Sequence, residues 1–387
     1  MIILKLICTI IFTILFTSTS FANNVQIYNK ITFWDKLQKG ANIFNQNVLQ
    51  KDIKTAKDYG ITFIRLAPDK FPSKERDFLI GNADNYTRLV QKDLNSLKKV
   101  LDICTKEKMP VILTFLSLPG SRWKQNNHDK DDLRLWSNIK FQKQAASFWK
   151  DLALELRNYP IIVGYNILNE PHPERIYNAK AIHLYDVGQD TIQKQLYKTY
   201  QLIIDSIRMV DQNTPIILDS SAYGDPKTFK HFKTHKDVNI LYSFHMYEPY
   251  AYTNHKTNNN RFSYPGEINS TYWDKQTLRS YMLEVINFQK INHIPNNRIL
   301  VGEFGCYRKT KGLPKYFNDL LEIFKENQWH FAFYAFREDT WDGMDYELGD
   351  KQLPWSYWQA LEKGSKPVPD RKETYPQFKV LKEALAK

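Results

Sequence analysis

The chain has 387 residues, a formal net charge of +12, 42% hydrophobic residues and 14% aromatic residues. That length and apolar content exclude a disordered chain or a disulfide-stapled miniature, and allow one large barrel as readily as two smaller domains. The basic excess lies on helix-like segments among acidic and polar residues, as in Gln91-Lys92-Asp93 and Leu97-Lys98-Lys99, which describes a solvated surface rather than a nucleic-acid groove.

Residues 1–22 have the pattern of a secretory signal: Lys5, an apolar stretch over 6–16, and small residues ending in Ser20-Phe21-Ala22. The apolar stretch is short for a bilayer span, so the expectation is cleavage, a secreted or periplasmic location and no stable membrane insertion afterwards. An uncleaved anchor is the alternative. Residues 23–387 show one composition regime and no linker, and are read as one catalytic domain of a monomer.

Strand-like apolar runs occur at 40–44, 61–67, 110–118, 161–168, 215–219, 240–246, 299–303 and 331–336. Helical spacing appears between them, at 93–107, 141–157, 191–210, 275–291 and 313–327. Strands alternating with helices pair in parallel through right-handed crossovers. Eight such units predict an α/β chain closed into a (β/α)₈ TIM barrel. An open doubly wound sheet is the alternative, because periodicity does not report closure. Polar loops at 120–137, 252–272 and 337–366 follow the third, sixth and eighth strands, on the face where barrels carry active sites. Cys104 and Cys306 fall far apart in this scheme and are expected as free thiols, and no Cys/His spacing points to a metal.

Two glutamates stand where apolar runs give way to loops. Glu170 closes Tyr165-Asn166-Ile167-Leu168-Asn169-Glu170-Pro171, and Glu303 sits in Leu300-Val301-Gly302-Glu303-Phe304-Gly305. Carboxylates at strand ends lie at the mouth of a sheet, and two facing each other are sufficient for cleaving a glycosidic bond. Glycines beside Glu303 let a ligand or side chain approach closely.

These motifs, with Ile64-Arg65-Leu66 at the end of the second strand and His245-Met246-Tyr247 at the end of the sixth, resemble glycoside hydrolase family 5, the cellulase-type retaining glycosidases. The resemblance spans nearly the whole mature chain. It implies Glu170 as acid/base and Glu303 as nucleophile, and Asn169 as a partner of the sugar 2-hydroxyl. Tyr247 would hydrogen-bond Glu303, and His245 would contact sugar or orient its neighbours. Arg65 is suited to lower the pKa of Glu303, since a nearby cation favours the ionised nucleophile. No metal or organic cofactor is implied.

Two departures stand out. Where family members carry a third-strand His, this chain reads Leu116-Ser117-Leu118-Pro119-Gly120. The eighth-strand Trp platform is replaced by Tyr334 or Phe336, or from the following loop by Trp341. Trp123, Trp136 and Trp341 are further candidates for stacking against sugar faces. The expected activity is retaining endo-hydrolysis of a β-1,4-glucan polysaccharide or oligosaccharide. Mannan, another β-glucan, a glycolipid glycan or a non-catalytic glycan-binding barrel are the alternatives.

Overall fold

The computed structural model describes residues 29–177, 189–365 and 367–386. The leader reading of residues 1–22 lies outside them. Among the described residues, no helix is long and apolar enough to cross a membrane.

Eight parallel strands close into a barrel: β1 (Lys39–Ile43), β2 (Phe63–Leu66), β3 (Val111–Thr114), β4 (Ile162–Asn166), β5 (Ile216–Asp219), β6 (Ile240–Met246), β9 (Ile299–Phe304) and β10 (His330–Phe333). A small antiparallel hairpin, β7 (Gly266–Ile268) with β8 (Thr271–Trp273), lies within the loop after β6. Closure is made by β1 pairing with β10, which removes both sheet edges. All eight predicted strands are present, and closure decides between the barrel and the open sheet.

Helices Gln50–Asp58, Gln91–Glu107, Ile139–Leu156, Gln189–Arg208 and Leu313–Glu326 cross over between strands. Their apolar faces bury residues such as Leu97, Leu101, Trp149, Leu152, Ile203 and Phe317 against the outside of the barrel. Three segments differ from expectation. The helix predicted over 275–291 breaks at Met282 into Lys275–Tyr281 and Leu283–Asn292. The loop after the eighth barrel strand carries a helix, Trp355–Glu362. Between β5 and β6 there is no regular crossover helix, only the turn Ser221–Gly224 and a 3₁₀ segment, Pro226–Lys230, because Ala222 and Tyr223 adopt left-handed backbone.

The barrel interior is layered by the period of two along each strand. Near the amino-terminal end of the strands, Phe63, Ile112, Ile217, Leu241 and Leu300 form a dry plug around the indole of Trp34, whose Nε1 donates to the Val163 carbonyl at 2.9 Å. One inward position further along, Phe63 is succeeded by Arg65, Ile112 by Thr114 and Ile217 by Asp219. The same alternation that fills the bottom with hydrocarbon therefore fills the top with polar groups.

Candidate active site

At the carboxyl ends of the strands the polar layer converges on Arg65, which has no exposed surface. Its guanidinium donates to Asn42 Oδ1 at 3.0 Å, to Asn166 Oδ1 at 2.9 and 2.7 Å, to Asn169 Oδ1 at 2.7 Å and to Glu303 Oε1 at 2.7 Å. Strand register explains the convergence, since Asn42 is level with Arg65 across β1–β2 and Thr114 with Asn166 across β3–β4. A buried guanidinium needs such a shell, because each N–H left without an acceptor would carry the full cost of desolvation.

Glu303 lies inside β9 and is level with His245 of β6. The Tyr247 hydroxyl donates to Glu303 Oε2 at 2.7 Å, so both carboxylate oxygens are engaged, one by Arg65 and one by tyrosine. Glu170 follows β4 with left-handed backbone, φ 51°. Its amide donates to Asp219 Oδ2 at 3.3 Å, and its Oε1 meets His245 Nδ1 at 2.8 Å. Left-handed backbone at a non-glycine residue is costly and persists where the surroundings over-determine it.

His245 is the electrostatic hub. Burial alone would lower its pKa, but the surrounding carboxylates of Glu303, Asp219 and Glu170 outweigh burial and push it up to about 10. The ring is an imidazolium at neutral pH, with Nε2 in ion-pair contact with Asp219 Oδ2 at 3.4 Å. Burial likewise opposes ionisation of Asp219, but His245 and Arg65 hold it down at about 2. For Glu303 the balance differs from expectation. Burial is the largest influence and raises its pKa, with Glu170 adding to the rise, against the opposing pull of His245, Arg65 and the Tyr247 hydroxyl. The Arg65 contact is present as expected, but a fully enclosed carboxylate facing a second carboxylate costs more to ionise than the cations return.

Glu170, His245 and Glu303 place one donor atom each within 4.8 Å of one another, the spacing of a metal cluster. His245 Nδ1 already meets Glu170 Oε1 at 2.8 Å, and its Nε2 lies 3.4 Å from Asp219 Oδ2. The same spacing brings an oxygen of Glu170 within 4.8 Å of one of Glu303. Retaining glycosidases hold their carboxyl groups about 5–5.5 Å apart and inverting ones about 6.5–9.5 Å.

A cleft of about 640 Å³ opens over this pair, and its walls include Asn169, Tyr247, Tyr334 and Trp341. Trp123 lies half-buried on one wall, with Lys70 Nζ 5.7 Å from its ring centre. Leu116 occupies the third-strand position on the same wall, its backbone amide held by Asp69. Trp136 and Phe336 do not reach the cleft. They are 1% and 2% exposed and pack into the core, Trp136 because the short helix Arg134–Ser137 turns it inward. Cys104 and Cys306 are buried free thiols. A larger depression of about 760 Å³ at the opposite pole, near Thr32 and Lys57, offers one carboxylate, Asp35, and no facing pair. Asp219, Asn42 and Asn166 are the site residues that sequence reasoning passed over. Their signal was a polar residue ending an apolar run, as in Ile216-Ile217-Leu218-Asp219.

Facing carboxylates at the carboxyl ends of a closed parallel barrel, one of them clamped by a buried arginine, define a glycoside hydrolase site. A family model described as Cellulase (glycosyl hydrolase family 5) matches residues 22–340, and the chain belongs to that family. Endoglucanase C of Acetivibrio thermocellus is 22% identical over an alignment of 335 residues that covers 79% of this chain and 87% of that protein. Among solved structures, endoglucanase Cel5A from Thermotoga maritima aligns with a TM-score of 0.62 at 18% identity, covering 92% of this chain and 98% of that one. The cellulose synthase subunit Z from Clostridioides difficile aligns at 0.61 with 16% identity, covering 91% and 100%.

Proposed function

We propose that this glycoside hydrolase is an exported endo-β-glycosidase that cleaves internal β-1,4-glucan linkages with retention of anomeric configuration, residues 23–387 forming one catalytic domain. The observation that carries the reading is the Glu170–Glu303 pair, with oxygens within 4.8 Å, too close to leave room for the water of an inverting mechanism. Glu303, positioned by Arg65 and Tyr247, attacks the anomeric carbon. The bond to the leaving sugar breaks as Glu170 gives its proton to the departing oxygen. A covalent glycosyl-enzyme results. Glu170, now a carboxylate, takes a proton from water as that water attacks the same carbon and frees Glu303. The Asn169 side chain, oriented by Arg65, is placed to hydrogen-bond the sugar 2-hydroxyl, a contact that strengthens as positive charge develops on the ring.

A β-1,4-mannan substrate is the second reading, supported by the Thermotoga maritima Cel5A structure in complex with mannotriose. Hydrolysis of carboxymethyl cellulose, mixed-linkage glucan and mannan, with product anomers followed by NMR, tests both readings. Glu170→Gln is expected to lose about 10²–10⁴-fold in turnover, the worth of a general acid. Glu303→Ala is expected to abolish turnover, since no covalent intermediate forms. Full activity in either variant would overturn the assignment, and an α-anomer as first product would overturn retention.

A further inference from the structure

The proposed reaction leaves one buried carboxylate of the site without a task. Asp219 ends β5 and has no exposed surface. Its Oδ1 accepts from Asn166 Nδ2 of β4 at 3.2 Å, while its Oδ2 lies 3.5 Å from Arg65 Nη2 of β2 and 3.4 Å from His245 Nε2 of β6. Asp219 is level with Ser243 of β6, and the Tyr200 hydroxyl donates to its carbonyl at 2.9 Å. Burial opposes its ionisation, but His245 and Arg65 keep it charged. A buried ion pair is weak evidence for stability, since apolar side chains of similar volume pack such places as well or better.

Two routes run from Asp219 to Glu170. The first is direct: the Glu170 amide donates to Asp219 Oδ2 at 3.3 Å, which braces the left-handed backbone, φ 51°, that carries the carboxyl. The second passes through histidine, since His245 meets Asp219 through Nε2 and Glu170 Oε1 through Nδ1 at 2.8 Å. The chain beyond Asp219 tightens the same joint. The Tyr223 amide donates to the Pro171 carbonyl at 3.2 Å, next to Glu170. Gly224 lets the turn close on the imidazole, because a Cβ there would stand 3.0 Å from His245 Cγ. With Asp219 and Glu303 ionised, Arg65 and His245 are matched in charge, so the cluster is neutral when Glu170 carries the proton it must deliver.

We propose that Asp219 is a positioning residue for the acid/base step: it holds the backbone of Glu170 directly and the Glu170 carboxyl through the His245 ring. The inference rests on Glu170 being the acid/base of the proposed reaction. Asp219 then matters most where the departing oxygen needs a proton. A sugar oxygen is such a leaving group, whereas a dinitrophenolate departs without one. A negative charge also holds protons on its neighbours. A neutral side chain at 219 therefore lets His245 and the facing carboxyls of Glu170 and Glu303 give up theirs at lower pH.

The test compares the full chain with its Asp219→Asn variant on cellotetraose and on dinitrophenyl β-cellobioside. kcat/KM for cellotetraose is expected to fall about 10–100-fold, the cost of a misplaced catalytic group, and that for the aryl substrate no more than about threefold. Both limbs of the kcat/KM profile should move to lower pH, by about one unit. In the Glu170→Gln background, Asp219→Asn should cost cellotetraose hydrolysis no more than about threefold further, because no acid is left to place. An equal loss on both substrates would overturn the proposal and make Asp219 a prop of the fold. Limbs that stay in place, wild-type rates in Asp219→Asn, or losses that multiply in the double variant would overturn it too. The substrate ratio and the limb positions do not depend on how much of a preparation is folded. If Asp219→Asn yields no folded protein, imidazole NMR of the wild type decides, with His245 assigned by His245→Gln. That ring must stay protonated well above neutral pH, and titration near the free imidazole value would overturn the proposal. Failure of the wild type to cleave either substrate counts against the proposed activity itself. Cleavage by the wild type without the Asp219→Asn signature counts against this role alone.

Discussion

The chemistry of the site depends on how a few side chains share charge. Glu303 is surrounded by the cations Arg65 and His245 and by the Tyr247 hydroxyl, yet burial and Glu170 keep its pKa above the ordinary glutamate value. In the proposed mechanism a protonated Glu303 cannot attack carbon, so the acid limb of the kcat/KM profile is expected to report this carboxyl in the free enzyme. Tyr247→Phe removes a hydrogen bond that favours the ionised form. The limb should therefore move to higher pH, by about one unit for a bond to a charged group. A pH–rate profile measures this, and a limb that stays in place or falls would show that another group sets it. His245 was legible as a strand-end histidine, but its role was not. Its charge comes from Asp219 and two glutamates contributed by three other strand ends, a juxtaposition that one strand's sequence does not contain.

At the scale of elements, β9 illustrates how a strand is shaped around the proposed nucleophile. Gly302 precedes Glu303, and a Cβ there would stand 2.6 Å from Ser243 Oγ and 3.0 Å from His245 Nε2, both on β6. The hydroxyl can rotate away, but the imidazolium is wedged between carboxylates. Gly302→Ala is thus expected to cost about 1–3 kcal/mol, read as a Tm lowered by several degrees, and to reduce kcat by displacing His245. A variant with unchanged melting and turnover would show that β6 and β9 are not tightly interlocked. The glycine was conspicuous in the sequence as a small neighbour of Glu303. Which side chain it makes room for follows from the β6–β9 register, and therefore from barrel closure.

The whole molecule separates stability from chemistry along the barrel axis. Trp34 plugs the amino-terminal pole, fully buried and packed edge-on against Phe63 and His330 at 5.5 and 5.0 Å. Glu170 and Glu303 occupy the other pole. Trp34→Ala should leave a cavity costing about 3–5 kcal/mol, a substantial share of a typical domain's stability. Thermal unfolding should shift well down, while kcat/KM at 25 °C stays within about twofold for the protein that remains folded. A variant that melts normally but loses turnover would contradict this division of the molecule.

The sequence alone determined the eight barrel strands, their parallel order and the position of the two glutamates at strand ends, because apolar period, strand-end position and short-range motifs are local properties. Only the tertiary structure decided closure, the burial that turned Trp136 and Phe336 from sugar platforms into core, and the admission of Asn42, Asn166 and Asp219 to the site. It also reversed the expected direction for Glu303. A pKa is set by everything within a few ångströms, and in a closed barrel those neighbours come from strands far apart in the chain.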